Sequence, residues 1–215
     1  MTFTTVSTGQ TSSGLILSAG DSATVISGGV VTSTTVSGGG FLLVSAGGTA
    51  SSTFAVSGGQ VAVTSGGKTF NGTIAGFSGT SASLENVSAG GTASDTSVGS
   101  GGVLNLLGGT ADIVTVSDGG GINVGPGGTT LSASIAGRAT ISGNVVNSFE
   151  AVSSGGTASS TSVGAAGFLI VSGGTAIGTT VSSSGVLEID DDSVVSGATV
   201  LNGGTIEFAG GTATA

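Results

Sequence analysis

Glycine pairs recur through this sequence, and their spacing constrains the fold more than any other feature. The series runs through Gly28–Gly29, Gly38–Gly39, Gly47–Gly48, Gly58–Gly59 and Gly66–Gly67. It resumes at Gly90–Gly91 and continues through Gly101–Gly102, Gly108–Gly109, Gly119–Gly120 and Gly127–Gly128. The steps tend to alternate between roughly 11 and roughly 7 to 8 residues, so one full cycle is about 19 residues. Between the pairs lie short runs of Val, Ile, Leu and Thr, such as Phe41–Val44, Val61–Thr64, Val103–Leu107, Ile122–Val124 and Phe168–Val171. These are strand-length and β-branched, and none reaches the ~10 residues of a helix.

A chain that turns sharply every half-cycle needs residues that tolerate positive φ or close backbone approach, and glycine supplies both. The pattern predicts an all-β protein, a single-stranded right-handed β-solenoid (parallel β-helix) with glycine-pair repeats of about 19 residues. At the ~4.8 Å strand spacing, about eleven coils make a rod on the order of 50 Å long. Its interior is thin, so Ala, Val, Ser and Thr should fill it, and Phe41, Phe54 and Phe168 read as core or corner fillers.

A larger period overlies the small one. Ser88–Gly109 returns without a gap as Ser153–Gly174, identical at roughly two-thirds of positions. Gly47–Gly76 likewise aligns with Gly108–Gly137, both ending Ile-Ala-Gly. A module of roughly 61 to 65 residues, about three coils, has been duplicated with small insertions. The least regular segments, Phe77–Asn86 and Arg138–Glu150, fall at equivalent places and should leave the solenoid wall as loops or bulges. Residues 1–27 lack regular glycine pairs and read as a degenerate first coil or cap, and residues 28–215 as the repeat array.

Composition excludes several classes. The chain is 37% hydrophobic with only 6% charged residues and mean hydropathy +0.55, unlike disordered chains, which combine low hydrophobicity with high charge. Eleven acids against Lys68 and Arg138 give a net charge of -9, which argues against nucleic-acid partners and anionic membrane surfaces. No apolar run approaches the ~18 residues of a spanning helix, so direct membrane insertion of this segment is not expected. Met1–Thr5 carries neither a basic region nor an apolar run, so no secretion signal is visible. The reading is a fragment of a longer precursor, or export through a signal elsewhere.

Histidine and cysteine are absent, which removes Ser-His-Asp and Cys-His catalysis and most zinc sites. No catalytic residue and no cofactor are assigned, and the expectation is a protein that is not an enzyme. The tight acid cluster is Glu188 with Asp190, Asp191 and Asp192. The three aspartates align with the turn Gly125–Pro126–Gly127 and read as a solvated corner, with a weak calcium site as the lesser reading. Thr49, Thr92, Thr110, Thr157, Thr175 and Thr212 each follow a glycine pair in Gly-Gly-Thr-Ala. On a solenoid they should stack as a surface ladder. It serves cross-strand bonding on the plainer reading, and glycosylation or pairing with another rod on the sharper one.

The units at Val36–Ala50, Val87–Ser94 and Val152–Ser159 resemble the repeats of AIDA-like autotransporter adhesins, and the resemblance covers most of the chain from about Val25 onward. It implies a β-helical passenger segment at the Gram-negative surface, extracellular, acting in self-association, biofilm formation or host adhesion. Some members are glycosylated on repeat Ser and Thr. Self-association or a cell-surface or glycan ligand is therefore the expected partner. The alternatives are a polysaccharide-acting β-helix enzyme and a non-binding architectural spacer.

Overall fold

In the computed structural model, described for residues 1–78, 81–141 and 143–214, no helix occurs among the described residues. The chain is a β-solenoid of eleven coils with two walls. Each coil gives one strand to the first wall, starting with Phe3–Val6, Ser22–Val25, Phe41–Val44 and Gln60–Val63 and ending with Thr205–Phe208. Neighbouring coils pair in parallel: Phe3, Ser22, Phe41 and Gln60 stack at intervals of 19 residues. The second wall receives two short strands per coil in most coils, such as Thr49–Ser51 and Phe54–Val56.

The two glycines of a pair do different work. The first takes a left-handed backbone, as at Gly47 with φ +82 and open space where a side chain would go. The second, in most pairs, lies against the coil before it: a Cβ on Gly48 would sit 2.3 Å from the carbonyl oxygen of Val25. Any side chain there would push the coils apart and break the strand ladder. The kink within the second wall is also left-handed, at Ser33, Ser52, Asn71, Asp95 and Ser160, whose φ values lie between +51 and +55. Polar residues that bond their own backbone tolerate this geometry, whereas the β-branched Ile113, with φ +55, is strained by it.

Residues 1–27 contain three strands, Phe3–Val6, Thr11–Ser13 and Ile16–Leu17, paired with the second coil, and the strand Ser22–Val25 of that coil. This first coil turns Thr4 and Ser12 to the inside, where the second turns Ala23 and Val31.

Two steps of the first wall are longer than the rest. Gln60 pairs with Leu84, and Gly121 with Phe149. Both insertions are antiparallel hairpins. Phe77–Ser78 folds back on Ser81–Ala82, and Arg138–Ile141 on Asn144–Asn147, after which the returning strand runs straight on into the wall. Residues 79, 80 and 142 of these irregular segments lie outside the described residues. A buried serine anchors each hairpin base: Ser83 Oγ accepts from the Gly58 N–H at 3.0 Å and Ser148 Oγ from the Gly119 N–H at 3.1 Å.

Inside, Leu42, Val61, Leu104, Ile122, Leu169 and Leu187 stack in one column of the first wall and face Val31, Ala50, Ala93, Ala111, Ala158 and Ala176 of the second. Each buried Leu, Ile or Val contributes about 1.5 to 3 kcal/mol, and their stacking makes one continuous core. The phenylalanines are a correction to the sequence reading. Phe41 and Phe54 are exposed on the outer faces and Phe168 is half-buried there, because a two-layer interior closed by alanine leaves no room for a ring.

Gly48→Ala should destabilise by about 3 kcal/mol through overpacking and Gly47→Ala by about 1 to 2 kcal/mol through the left-handed backbone alone. Melting temperatures of the two variants in parallel check the order. Ile113→Asn, at a position 53% exposed, should raise stability by about 1 kcal/mol by relieving left-handed strain, read as a higher melting temperature.

Candidate functional site

Hydroxyl groups are sorted into columns by the strand register of the second wall. One outer column runs Thr49, Lys68, Thr92, Thr110, Thr129, Thr157, Thr175, Val194, Thr212. All six threonines singled out by the Gly-Gly-Thr-Ala pattern lie in it. Lys68 and Val194 interrupt it, and Thr129, which the pattern missed, completes an unbroken run of five from Thr92 to Thr175. Thr129 escaped because it is followed by Thr130 rather than alanine. These threonines are half-buried by their neighbours along the column, apart from the exposed Thr212.

A second outer column is longer and was not read from the sequence. Thr73, Ser97, Thr115, Ser134, Ser162, Thr180 and Thr199 stack on successive coils, five of them exposed. A shallow depression of about 270 Å³ lined by Asp95, Thr96, Ser97, Ile113 and Thr115 opens beside its upper part. Below it, over the coils that carry Ser134, Ser162 and Thr180, the strands of this wall bear no charged side chain.

The first wall is different outside. An amide ladder joins three coils, with Asn105 Nδ2 donating to Asn86 Oδ1 at 2.8 Å and Asn123 Nδ2 to Asn105 Oδ1 at 2.9 Å. Further along, Glu188 stands opposite Glu207. Asp190, Asp191 and Asp192 occupy the corner that follows, with Asp191 and Asp192 exposed and Asp192 left-handed at φ +61. Among the described residues no three Asp, Glu, His or Cys side chains gather as a metal site.

Two carboxyl groups stand inside the core. Glu85 pairs with Val61 and Leu104, and Glu150 with Ile122 and Leu169, so each occupies the aliphatic column. Inward threonines meet them. Thr69 Oγ1 donates to Glu85 Oε1 at 2.5 Å, Thr130 donates to Glu150 Oε1, and Thr161 Oγ1 donates to Glu150 Oε2 at 2.8 Å. Burial pushes the Glu85 carboxyl up from 4.5 to about 7, the Thr69 bond opposing it, and burial raises Glu150 against two such bonds. Aligning the wall strands exposes the signal: Leu84–Val87 and Phe149–Val152 put Glu where Phe41–Val44 and Phe168–Val171 put Leu.

Compared with known proteins, the chain matches no family model and no curated protein. Among solved structures it is similar to the crystal structure of a TibC-catalyzed hyper-glycosylated TibA fragment. The two are 26% identical over 99% of this chain and 94% of that chain, with a TM-score of 0.48. The fold stands on the strand pairing itself: the chain is a β-solenoid, the architecture implied by its resemblance to AIDA-like repeats.

The buried carboxyls make stability depend on pH with a definite sign. Below pH 4.5 both folded and unfolded chains hold these protons. Above it only the folded chain does, up to about 7 for Glu85, so stability falls as pH rises, and once the folded chain has also released its proton the loss levels off. Glu150, raised by burial in the same way, adds to the fall with the same sign. Asp21, whose carboxyl is lowered by bonds from the Ser18 and Thr2 backbone, acts only below this window. Glu85 alone should account for about 3 kcal/mol between pH 4.5 and 7.5. Melting temperature should fall across that range, and Glu85→Gln with Glu150→Gln should remove most of the slope.

Proposed function

We infer that the chain is a structural and adhesive rod of a secreted or bacterial-surface protein, working by self-association or by contact with a cell-surface glycan and not by catalysis. The observation that carries this reading is the charge-free hydroxyl face of the second wall around Ser134, Ser162 and Thr180. Rods with a net charge of -9 repel one another, so lateral contact favours the face on which no carboxylate must be desolvated. Hydroxyls repeated at ~4.8 Å supply many bonds of about 1 kcal/mol each, and a rigid array adds them as avidity.

The acids of the chain are placed away from that face. Asp95, Asp112 and Asp118 belong to earlier coils, Asp118 to the corner beyond the strand, and Glu188, Glu207 and Asp190–Asp192 belong to the other wall and its corner. No helix among the described residues is long and apolar enough to cross a membrane, and extracellular exposure suits a surface so poor in charge and so rich in hydroxyls. A spacer role without binding predicts a different outcome in the same assay.

Beads carrying the chain should clump. Ser134→Glu, Ser162→Glu and Thr180→Glu together should abolish clumping with the melting temperature preserved, whereas Thr24→Glu and Ala62→Glu on the opposite wall should leave it intact. Clumping indifferent to the hydroxyl face, or wild-type beads that neither clump nor bind cells, contradicts the proposal.

A further inference from the structure

Gly72 is a glycine without a backbone reason. It has no left-handed φ, and a Cβ built on it would meet nothing nearer than Glu85 Oε2 at 3.5 Å and Thr96 Cγ2 and Oγ1 at 3.8 Å. Its column faces inward, between Thr53 on the coil before and Thr96 on the coil after, as the stacking of Phe54, Thr73 and Ser97 fixes. Thr53 and Thr96 are 3% and 2% exposed, and the hydroxyl of each is buried without a hydrogen-bond partner. The second oxygen of Glu85 points into the same space, its first being held by Thr69.

The duplicated module solves the same place in another way. Ala133 stands where Gly72 does, flanked by Val114 and Thr161 in place of Thr53 and Thr96. There the methyl group occupies the space, the unpartnered hydroxyl is replaced by an apolar side chain, and Thr161 donates directly to Glu150 Oε2 at 2.8 Å. At these two equivalent places the exchanges go together: beside Gly72 both threonine hydroxyls are unpartnered, and beside Ala133 the hydroxyl is either absent or bonded to Glu150.

We propose that the gap at Gly72 is a binding site for one internal water, held by Thr53 Oγ1, Thr96 Oγ1 and Glu85 Oε2. A buried water needs two to four polar partners and room for about one probe sphere, and a glycine where neighbouring coils have threonine leaves out three side-chain heavy atoms. The water completes the bonding of Glu85 that Thr161 completes for Glu150, so the two carboxyls are satisfied by different means in the two modules.

A crystal structure of the full chain at about 1.5 Å resolution reads the site directly. A single density peak within hydrogen-bond distance of the three oxygens supports the proposal. An empty gap, or a direct bond from Thr96 to Glu85, overturns it. Oxygen-17 relaxation dispersion in solution gives an independent count: Gly72→Ala should lose one long-lived water relative to the wild type, and equal counts contradict the assignment. Thr53→Val, which leaves the glycine in place, should shorten the residence time of that water, and an unchanged value removes Thr53 from the site.

Discussion

Backbone contact between successive coils at the corners is the constraint on which the structure depends. The second glycine of most pairs lies where any Cβ would strike the carbonyl of the coil before it, as Gly48 does over Val25 and Gly67 over Val44, and after Gly38–Gly39 that place falls to Gly40 over Leu17. That approach keeps both walls within hydrogen-bonding distance along the whole rod. It also fixes the register, and register decides what each side chain becomes. Residues that look alike in the sequence become core, amide ladder or hydroxyl column according to their place in the coil.

Close stacking has consequences inside and out. The interior admits two layers, Leu or Val against Ala, which is why rings are turned outward and why carboxyls at Glu85 and Glu150 must be met by threonines from the facing wall. A buried acid among aliphatic side chains is costly when ionised, and the hydroxyls lessen that cost without removing it. Both acids lie on strands that return from a hairpin, so the duplicated module has carried hairpin, anchoring serine and buried acid together. On the outside, the same stacking turns scattered Ser and Thr into rows, and a charge-free stretch of those rows is what a strongly acidic rod offers to another copy or to a glycan.

Much of this was legible in the sequence. The spacing of glycine pairs predicts a β-solenoid with coils of about 19 residues, and the two irregular segments mark where the wall is interrupted. That the interruptions are hairpins was not legible, since their strands look like the wall strands they continue into. The phenylalanines misled because hydrophobicity alone says inside, whereas the available width is set by the alanines opposite. Glu85 and Glu150 escaped a search for clustered acids, although strand alignment places each in a leucine position. The hydroxyl column from Thr73 to Thr199 escaped a pattern built on Gly-Gly-Thr-Ala, because its members vary between Ser and Thr and most stand six residues beyond the second glycine of a pair, outside that motif.

The central claim is that coils stack in continuous register across the hairpin insertions, and the absence of cysteine from the chain allows a direct measurement. Ser134 and Ser162 are opposite each other across the longer insertion, although a constant period of about 19 residues would put Ser153 there. A variant with Ser134→Cys and Ser162→Cys should close a disulfide under mild oxidation, since stacked positions meet the required Cα separation of about 4.4 to 6.8 Å. A variant with Ser134→Cys and Ser153→Cys should remain reduced. Cross-linking in the second variant and not the first would contradict the account.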